Sequence, residues 1–153
     1  MALSITSTAF KDGKRIPKKY TCESDDISPA LAWSDVPPAA KSLALIMDDP
    51  DAPMGVFTHW VLFNLPSDFS ALGEGQPTSE RLDNDAIHGI NDFGRVGYGG
   101  PCPPPGDPHR YFFAIYALDT SLKLKPRSTK QQVLAMIKGH VLAEARLVGT
   151  YSR

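Results

Sequence analysis

The sequence predicts a mainly β domain with one or two peripheral helices. Three observations carry this. The dominant hydrophobic period is two residues rather than 3.6, turn formers are abundant at 14 prolines and 12 glycines, and a single stretch has convincing helical spacing. At 153 residues the chain matches one domain with one core, so residues 1–153 are read as a unit.

The elements follow in order. Leu3 to Ala9, Arg15 to Cys22 and Ala30 to Trp33 are read as strands. Leu43 to Met47, apolar throughout after Pro37-Pro38, reads as a strand covered on both faces. Thr58 to Leu65 alternates until Pro66, which puts His59, Val61, Phe63 and Leu65 on one face and Thr58, Trp60, Leu62 and Asn64 on the other. Trp60 is then a core residue pointing away from His59. Arg110 to Leu118 repeats the pattern, with Tyr111, Phe113 and Ile115 on the side of His109. Ser128, with Gln131 three residues later, predicts a capping box for a helix whose apolar stripe is Val133, Leu134, Met136 and Ile137 and whose stop is Gly139. Val141 to Val148 is the last strand. Gly73 to Tyr98 and Pro101 to Pro108 are long connections, of the kind that carry function.

Composition removes several function classes. A hydrophobic content of 42% with 22% charge is ordinary for a soluble globular chain. No stretch reaches the roughly 20 apolar residues of a membrane span. A net charge of -1 gives no footprint for nucleic acid, and the basic cluster Lys11, Lys14, Arg15, Lys18 and Lys19 reads as a solvated hairpin face. Met1 to Phe10 has neither a basic n-region nor an apolar h-region, so a cytoplasmic protein is expected. Cys22 and Cys102 lack CxxC or histidine spacing, which argues against zinc and thioredoxin chemistry. Two reduced, partly buried thiols are expected, a disulfide being the alternative.

Two short stretches concentrate the remaining chemistry. They are Asp49-Pro50-Asp51-Ala52-Pro53 with His59, and Gly99-Gly100-Pro101-Cys102-Pro103 with His109-Arg110-Tyr111. A phosphate needs several donors, and Gly99 and Gly100 let backbone N–H groups approach an oxyanion without Cβ interference. A carboxylate from Asp49 or Asp51 can hold an imidazole of His59 or His109 in one tautomer and favour its charged form. Pro50, Pro53, Pro101 and Pro103 stiffen the walls, Ala52-Pro53 is a candidate cis bond, Tyr111 is a pocket wall, and Tyr98 is the aromatic expected at the mouth. Asp51 has a second reading as a local turn cap. A nucleophile set of Cys102, His109 and Asp49 can be written, but no spacing brings the thiol to an imidazole. No G-x-S-x-G, H-E-x-x-H or dinucleotide fingerprint is present, and His59, His109 and Asp49 lack diagnostic metal spacing. A non-enzymatic chain with no catalytic residues, cofactor or metal is expected.

These blocks, together with Ile27-Ser28-Pro29, Trp33, Gly97-Tyr98-Gly99-Gly100 and the closing Gly139-His140 through Gly149-Thr150-Tyr151, resemble the signature of the phosphatidylethanolamine-binding protein family, in its prokaryotic Raf-kinase-inhibitor-like branch. The intervening Cys102 departs from the eukaryotic pattern, where a second proline follows the glycine-proline pair. The resemblance implies a Greek-key β-sandwich with a small surface cavity for phosphate, acetate or a phosphorylated headgroup. It implies ligand contacts from Asp49, Asp51, Pro53, His59, Tyr98, Gly99, Gly100, Pro101, His109 and Tyr111. It also implies a homodimer, and it opens an alternative function as inhibitor or scaffold for a kinase or protease through loops around the pocket. Without an exposed basic amphipathic helix, membrane docking has no support.

Overall fold

In the computed structural model, which describes residues 2–153, each of the seven expected strand segments contributes a strand, and two short strands outside them, one of them within the expected connection from Gly73 to Tyr98, bring the number among those residues to nine. They are β1 (Ser4–Thr6), β2 (Lys14–Arg15), β3 (Leu31–Ser34), β4 (Ser42–Asp49), β5 (Phe57–Pro66), β6 (Ala71–Leu72), β7 (Ile87–His88), β8 (His109–Leu118) and β9 (Val141–Tyr151). A small sheet runs β1-β3-β6 and a larger one β2-β9-β8-β4-β5-β7. All pairings are antiparallel except β2 with β9. After β7, at one edge of the large sheet, the chain crosses back to insert β8 between β4 and β9, the connection of a Greek-key sandwich.

Strand β4 shows why its run is apolar at every position. Leu43, Leu45 and Met47 pack between the sheets with Ile5, Leu31, Trp33 and Leu72. Ala44 and Ile46 face the other way, in a second core with Val61, Phe63 and the helix α1 (Lys130–Ile137). Both faces are dry, so neither tolerates a polar residue.

Several local expectations change. The helix cap is Thr129, whose Oγ1 accepts from the Gln132 amide at 3.1 Å while Gln132 Oε1 accepts from the Thr129 amide at 2.9 Å. Ser128 is not free to cap, because its hydroxyl donates to the Lys125 carbonyl at 2.7 Å. Of the expected stripe, Val133 and Ile137 are buried, whereas Leu134 and Met136 are exposed. The strand expected over Arg15 to Cys22 ends at Arg15, since Pro17 has no N–H for a ladder and starts a 3-10 turn at Lys18–Tyr20. The Ala52-Pro53 bond is trans. Gly55, at φ +107°, reverses the chain there, and its amide donates to the Ala52 carbonyl at 3.1 Å.

Strict alternation also fails along β5. Met47 pairs with Trp60 and Asp48 with Thr58, so His59 opposes no residue of β4 and forms a β-bulge. A second slip falls at Asn64, whose φ is +57° and whose amide group brackets Leu122 with two hydrogen bonds. Trp60, Leu62 and Leu65 therefore share the inter-sheet core, Val61 and Phe63 the helix-side core. The His59 ring lies against Phe57 and Tyr111, at 5.0 and 5.2 Å between centroids. It is thus on the Trp60 side of the sheet rather than the Val61 side.

Cys22 and Cys102 are joined in a disulfide, not held as reduced thiols. It closes a sequence separation of 80 residues, a loop whose constraint on the unfolded chain is worth about 4 kcal/mol in the chain-entropy picture. Reduction, or the paired change Cys22→Ser with Cys102→Ser, is expected to cost about 2–4 kcal/mol and lower Tm by about 5–15 °C. Thermal melts with and without a dithiol reductant check this; an unchanged Tm would show that the bond constrains nothing.

Candidate functional site

At the end of the sandwich where β4 finishes and β8 begins, a cavity of about 170 Å³ opens to the surface. Its lining is Asp49, Ala52, Pro53, Phe57, His59, Phe93, Cys102, Pro103, Pro104, His109 and Tyr111. The register explains the gathering. Asp49 is the last residue of β4 and pairs with Phe57 at the start of β5, β8 lies on the other side of β4 with His109 and Tyr111 at its start, and the bulge turns His59 to the same face.

Each imidazole is anchored through Nδ1. His59 Nδ1 lies 2.7 Å from the Gly99 carbonyl oxygen. A carbonyl only accepts, so Nδ1 carries the proton. His109 Nδ1 donates to Asp49 Oδ2 at 2.7 Å, an ion pair whenever the ring is protonated. Asp49 Oδ1 accepts from the Asp51 amide at 2.8 Å, so the carboxylate is held at both oxygens. In both histidines Nε2 has no hydrogen-bond partner among the described residues. The Tyr111 hydroxyl is buried and likewise without a partner, which is costly unless something else fills the place.

The walls shape the electrostatics. Phe57, Phe93 and His59 meet edge to face at 4.8 to 5.3 Å. Burial pushes the His59 imidazole below its ordinary range, with the Gly99 carbonyl partly opposing the shift. Burial pushes the Tyr111 hydroxyl up, and the nearby Asp49 charge adds to it. Tyr111 stays a neutral donor at any working pH.

Not every expected residue reaches the cavity. Asp49, Pro53, His59, His109 and Tyr111 line it; Asp51, Tyr98, Gly99, Gly100 and Pro101 do not. Asp51 clamps Arg110, accepting from its Nε, Nη2 and backbone amide at 2.8 to 2.9 Å, and the guanidinium holds its carboxyl down to about 2. Tyr98 turns into the core, its hydroxyl donating to the Tyr20 carbonyl at 2.7 Å and its ring edge-on to Trp60. The two glycine amides are not bare. Gly99 N–H donates to the His59 carbonyl at 3.0 Å, and Gly100 N–H to Asp26 Oδ1 at 2.7 Å. These positions are glycine because a Cβ would strike the Phe93 ring at Gly99 and the Tyr20 carbonyl at Gly100. Pro101 accepts from the Cys22 amide at 3.1 Å, behind the wall. The sequence reading missed Phe57, which the period of two places on the face of His59, and Phe93, a loop residue with no periodic signal.

Comparison with known proteins decides the family. The family model described as phosphatidylethanolamine-binding protein matches residues 6–152. The chain belongs to the phosphatidylethanolamine-binding protein family. Among relatives of this family, the UPF0098 protein of Methanothermobacter thermautotrophicus is 54% identical over 151 residues, covering 99% of each chain, and that of Aquifex aeolicus is 50% identical over 153 residues, covering 99% of this chain and 89% of its own. Two solved structures share the fold throughout. One is a candidate phosphatidylethanolamine-binding protein homologue of Chlamydia trachomatis, with a TM-score of 0.91 and 44% identity over 99% of this chain and 98% of its own. The other is E. coli YbcL, described as a member of the mammalian phosphatidylethanolamine-binding protein family, with a TM-score of 0.93 and 32% identity over 100% of this chain and 99% of its own.

The buried imidazoles set an acid limit on stability. Burial lowers His59 and also His88, whose Nε2 accepts from Trp60 Nε1 at 3.0 Å and whose Nδ1 donates to the Ser79 carbonyl at 2.6 Å. Above about pH 6.5 both rings are neutral folded or unfolded. Below it the unfolded chain takes up protons that the folded chain refuses, so stability should fall by up to about 1.4 kcal/mol per pH unit for each ring. Urea unfolding from pH 7.5 to 5 measures the slope, and the variant His88→Gln should flatten it; a slope unchanged in that variant contradicts the assignment.

Proposed function

We propose that the cavity binds a small anion, a phosphate or phosphorylated headgroup or a carboxylate, and that the protein is a binding module rather than an enzyme. The single observation that carries this reading is the buried Tyr111 hydroxyl, which makes no hydrogen bond within range although the Asp49 carboxylate lies near it, in a cavity that also holds two Nε2 atoms without partners. An anion would accept from Tyr111 and from each Nε2 once its ring is protonated. The protein's own acceptors, Asp49 and Gly99, hold the Nδ1 sides and keep both rings in place before the ligand arrives. The disulfide removes Cys102 as a nucleophile in this form. The size of the cavity suits a headgroup and not a whole lipid.

The alternative, an inhibitor or scaffold acting on a kinase or protease, draws on the apolar rim. Met54 is 99% exposed, Val56 55% and Phe93 40%, beside the cavity residues Pro53, Phe57 and Pro104. A partner could seat an acidic or phosphorylated group in the cavity and cover this rim. As an assembly we read the chain as a homodimer.

Phosphate and phosphoethanolamine titrations followed by NMR test the anion site. Saturable shifts at His59, Tyr111 and His109 are expected, lost in His109→Ala and weakened about tenfold in Tyr111→Phe, which deletes one hydrogen bond to a charged acceptor. No shift up to about 10 mM, weaker than a binding free energy of roughly 3 kcal/mol, would sink the anion reading. Retention of partner capture by His109→Ala would favour the alternative.

Affinity should also depend on pH. Sulfate keeps its charge across the range, so its dissociation constant reports the protein alone. Because His59 must gain a proton at Nε2 to donate, sulfate should bind more tightly at pH 6 than at pH 8, by about tenfold or less per proton taken up per pH unit. Affinity independent of pH over that range would exclude an imidazolium donor.

A further inference from the structure

The cavity wall that runs from Cys102 to Pro108 can do little to hold itself in place. Four of its seven residues, Pro103, Pro104, Pro105 and Pro108, are prolines without an N–H. Of the N–H groups that remain, only that of Gly106 finds an acceptor among the described residues, the Arg153 carbonyl at 3.4 Å. The stretch before this wall is firmly tied. Gly99 exchanges hydrogen bonds with His59, Gly100 donates to Asp26, and the Pro101 carbonyl accepts from the Cys22 amide. Beyond Pro101 the wall has one covalent link, from Cys102 to Cys22, and one side-chain bond, Arg153 Nε donating to the Pro103 carbonyl at 2.6 Å.

We propose that the Cys22–Cys102 bond is a redox-modification site, cut and remade by thiol–disulfide exchange on the folded protein, and that its state sets the affinity of the anion cavity. The inference rests on the anion reading above and adds the chemistry that regulates that site. Two features of its placement carry it. Cys102 is exposed and Cys22 half-buried, so an incoming thiolate can reach the Cys102 sulfur without unfolding the chain, and exposed disulfides are the ones that exchange. Cys102 also lines the cavity, beside Pro103 and Pro104, so cutting the bond acts on the wall directly.

The reductant required is a dithiol, which supplies both electrons. Its first thiolate attacks Cys102 Sγ, forming a mixed disulfide there while the bond to Cys22 breaks and Cys22 leaves as a thiolate. Its second thiolate attacks its own sulfur in that mixed disulfide, and Cys102 leaves in turn. The dithiol ends as a disulfide, and the two protons it has lost end on Cys22 and Cys102. The reverse exchange, with a disulfide as oxidant, remakes the bond.

Reduction leaves Pro103 and Pro104 on a wall fixed through Arg153 alone. His59, His109 and Tyr111 stand on strands β5 and β8 and keep their anchors, so the donors remain while the enclosure around them loosens. Affinity should fall for two reasons. The wall must then be ordered at each binding event, and water reaching the site weakens the hydrogen bonds made there.

Phosphate titration at constant pH, followed by NMR on the full chain before and after treatment with dithiothreitol, tests this. The oxidised form is expected to bind phosphate roughly tenfold or more tightly than the reduced form, with reoxidation restoring the affinity. The paired change Cys22→Ser with Cys102→Ser should bind like the reduced form whether or not the dithiol is present. Amide exchange should quicken at Gly106 and Asp107 on reduction and stay unchanged at Val61 and Phe113. The rate of reduction should be insensitive to low concentrations of urea; a rate that climbs with urea as the unfolding constant does would show that only the unfolded chain is cut, and would overturn the proposal. Equal affinity in the two forms would overturn the redox control and leave the anion cavity standing. Phosphate bound by neither form would overturn the cavity reading and this inference together. Loss of the circular dichroism of the fold on reduction would make the bond a structural staple only, which also overturns the control.

Discussion

Strand β5 carries one residue more than β4 at His59, and the site depends on where that residue turns. The bulge brings the imidazole to the inter-sheet face, where its Nδ1 meets the Gly99 carbonyl while the Gly99 amide returns to the His59 carbonyl. This reciprocal pair fastens the segment before Pro101 to the sheet. The same segment continues into Cys102, Pro103 and Pro104, so one cavity wall inherits its position from a slip in register. Gly99 has no Cβ because the Phe93 ring occupies that space. Phe93 in turn closes the aromatic corner around His59.

The polar groups divide into those the protein consumes and those it leaves over. Asp26 takes the Gly100 amide, Asp51 takes Arg110, Asp49 takes one nitrogen of His109, and Gly99 takes one nitrogen of His59. What remains are two Nε2 atoms and the Tyr111 hydroxyl, in a pocket with apolar walls. A low-dielectric surround strengthens any hydrogen bond made there and makes an unmade one expensive. Anchoring each ring on its inner side fixes the direction of the outer nitrogen, so little is lost in ordering these groups when a ligand binds.

Legibility in the sequence tracked how local each cause was. Leu43 to Met47 could be placed as a buried strand because its apolar run depends on nothing but its own residues. The helix is legible but its cap is ambiguous by one residue: Ser128-x-x-Gln131 and Thr129-x-x-Gln132 satisfy the same pattern, and the Lys125 carbonyl that removes Ser128 lies outside it. Asp51 and Tyr98 sit among site residues in the chain yet serve as a clamp and a core ring, since Arg110 and the Tyr20 carbonyl claim them first. Gly99 and Gly100 read in the sequence as bare amides, whereas in the fold both amides are spent and the missing Cβ lets Phe93 and the Tyr20 carbonyl close in.

The sequence by itself determined the β class, the doubly covered strand from Leu43 to Met47, the family signature and part of the chemical inventory of the cavity, with Asp49, His59, His109 and Tyr111 in it. These follow from residue type and period, which each segment carries alone. The tertiary structure alone decided which face His59 takes, which nitrogens and amides are left unpaired, and that Cys22 meets Cys102. Each of these is settled by competition for a limited number of hydrogen-bond partners among segments far apart in the chain, and a local pattern does not record who wins.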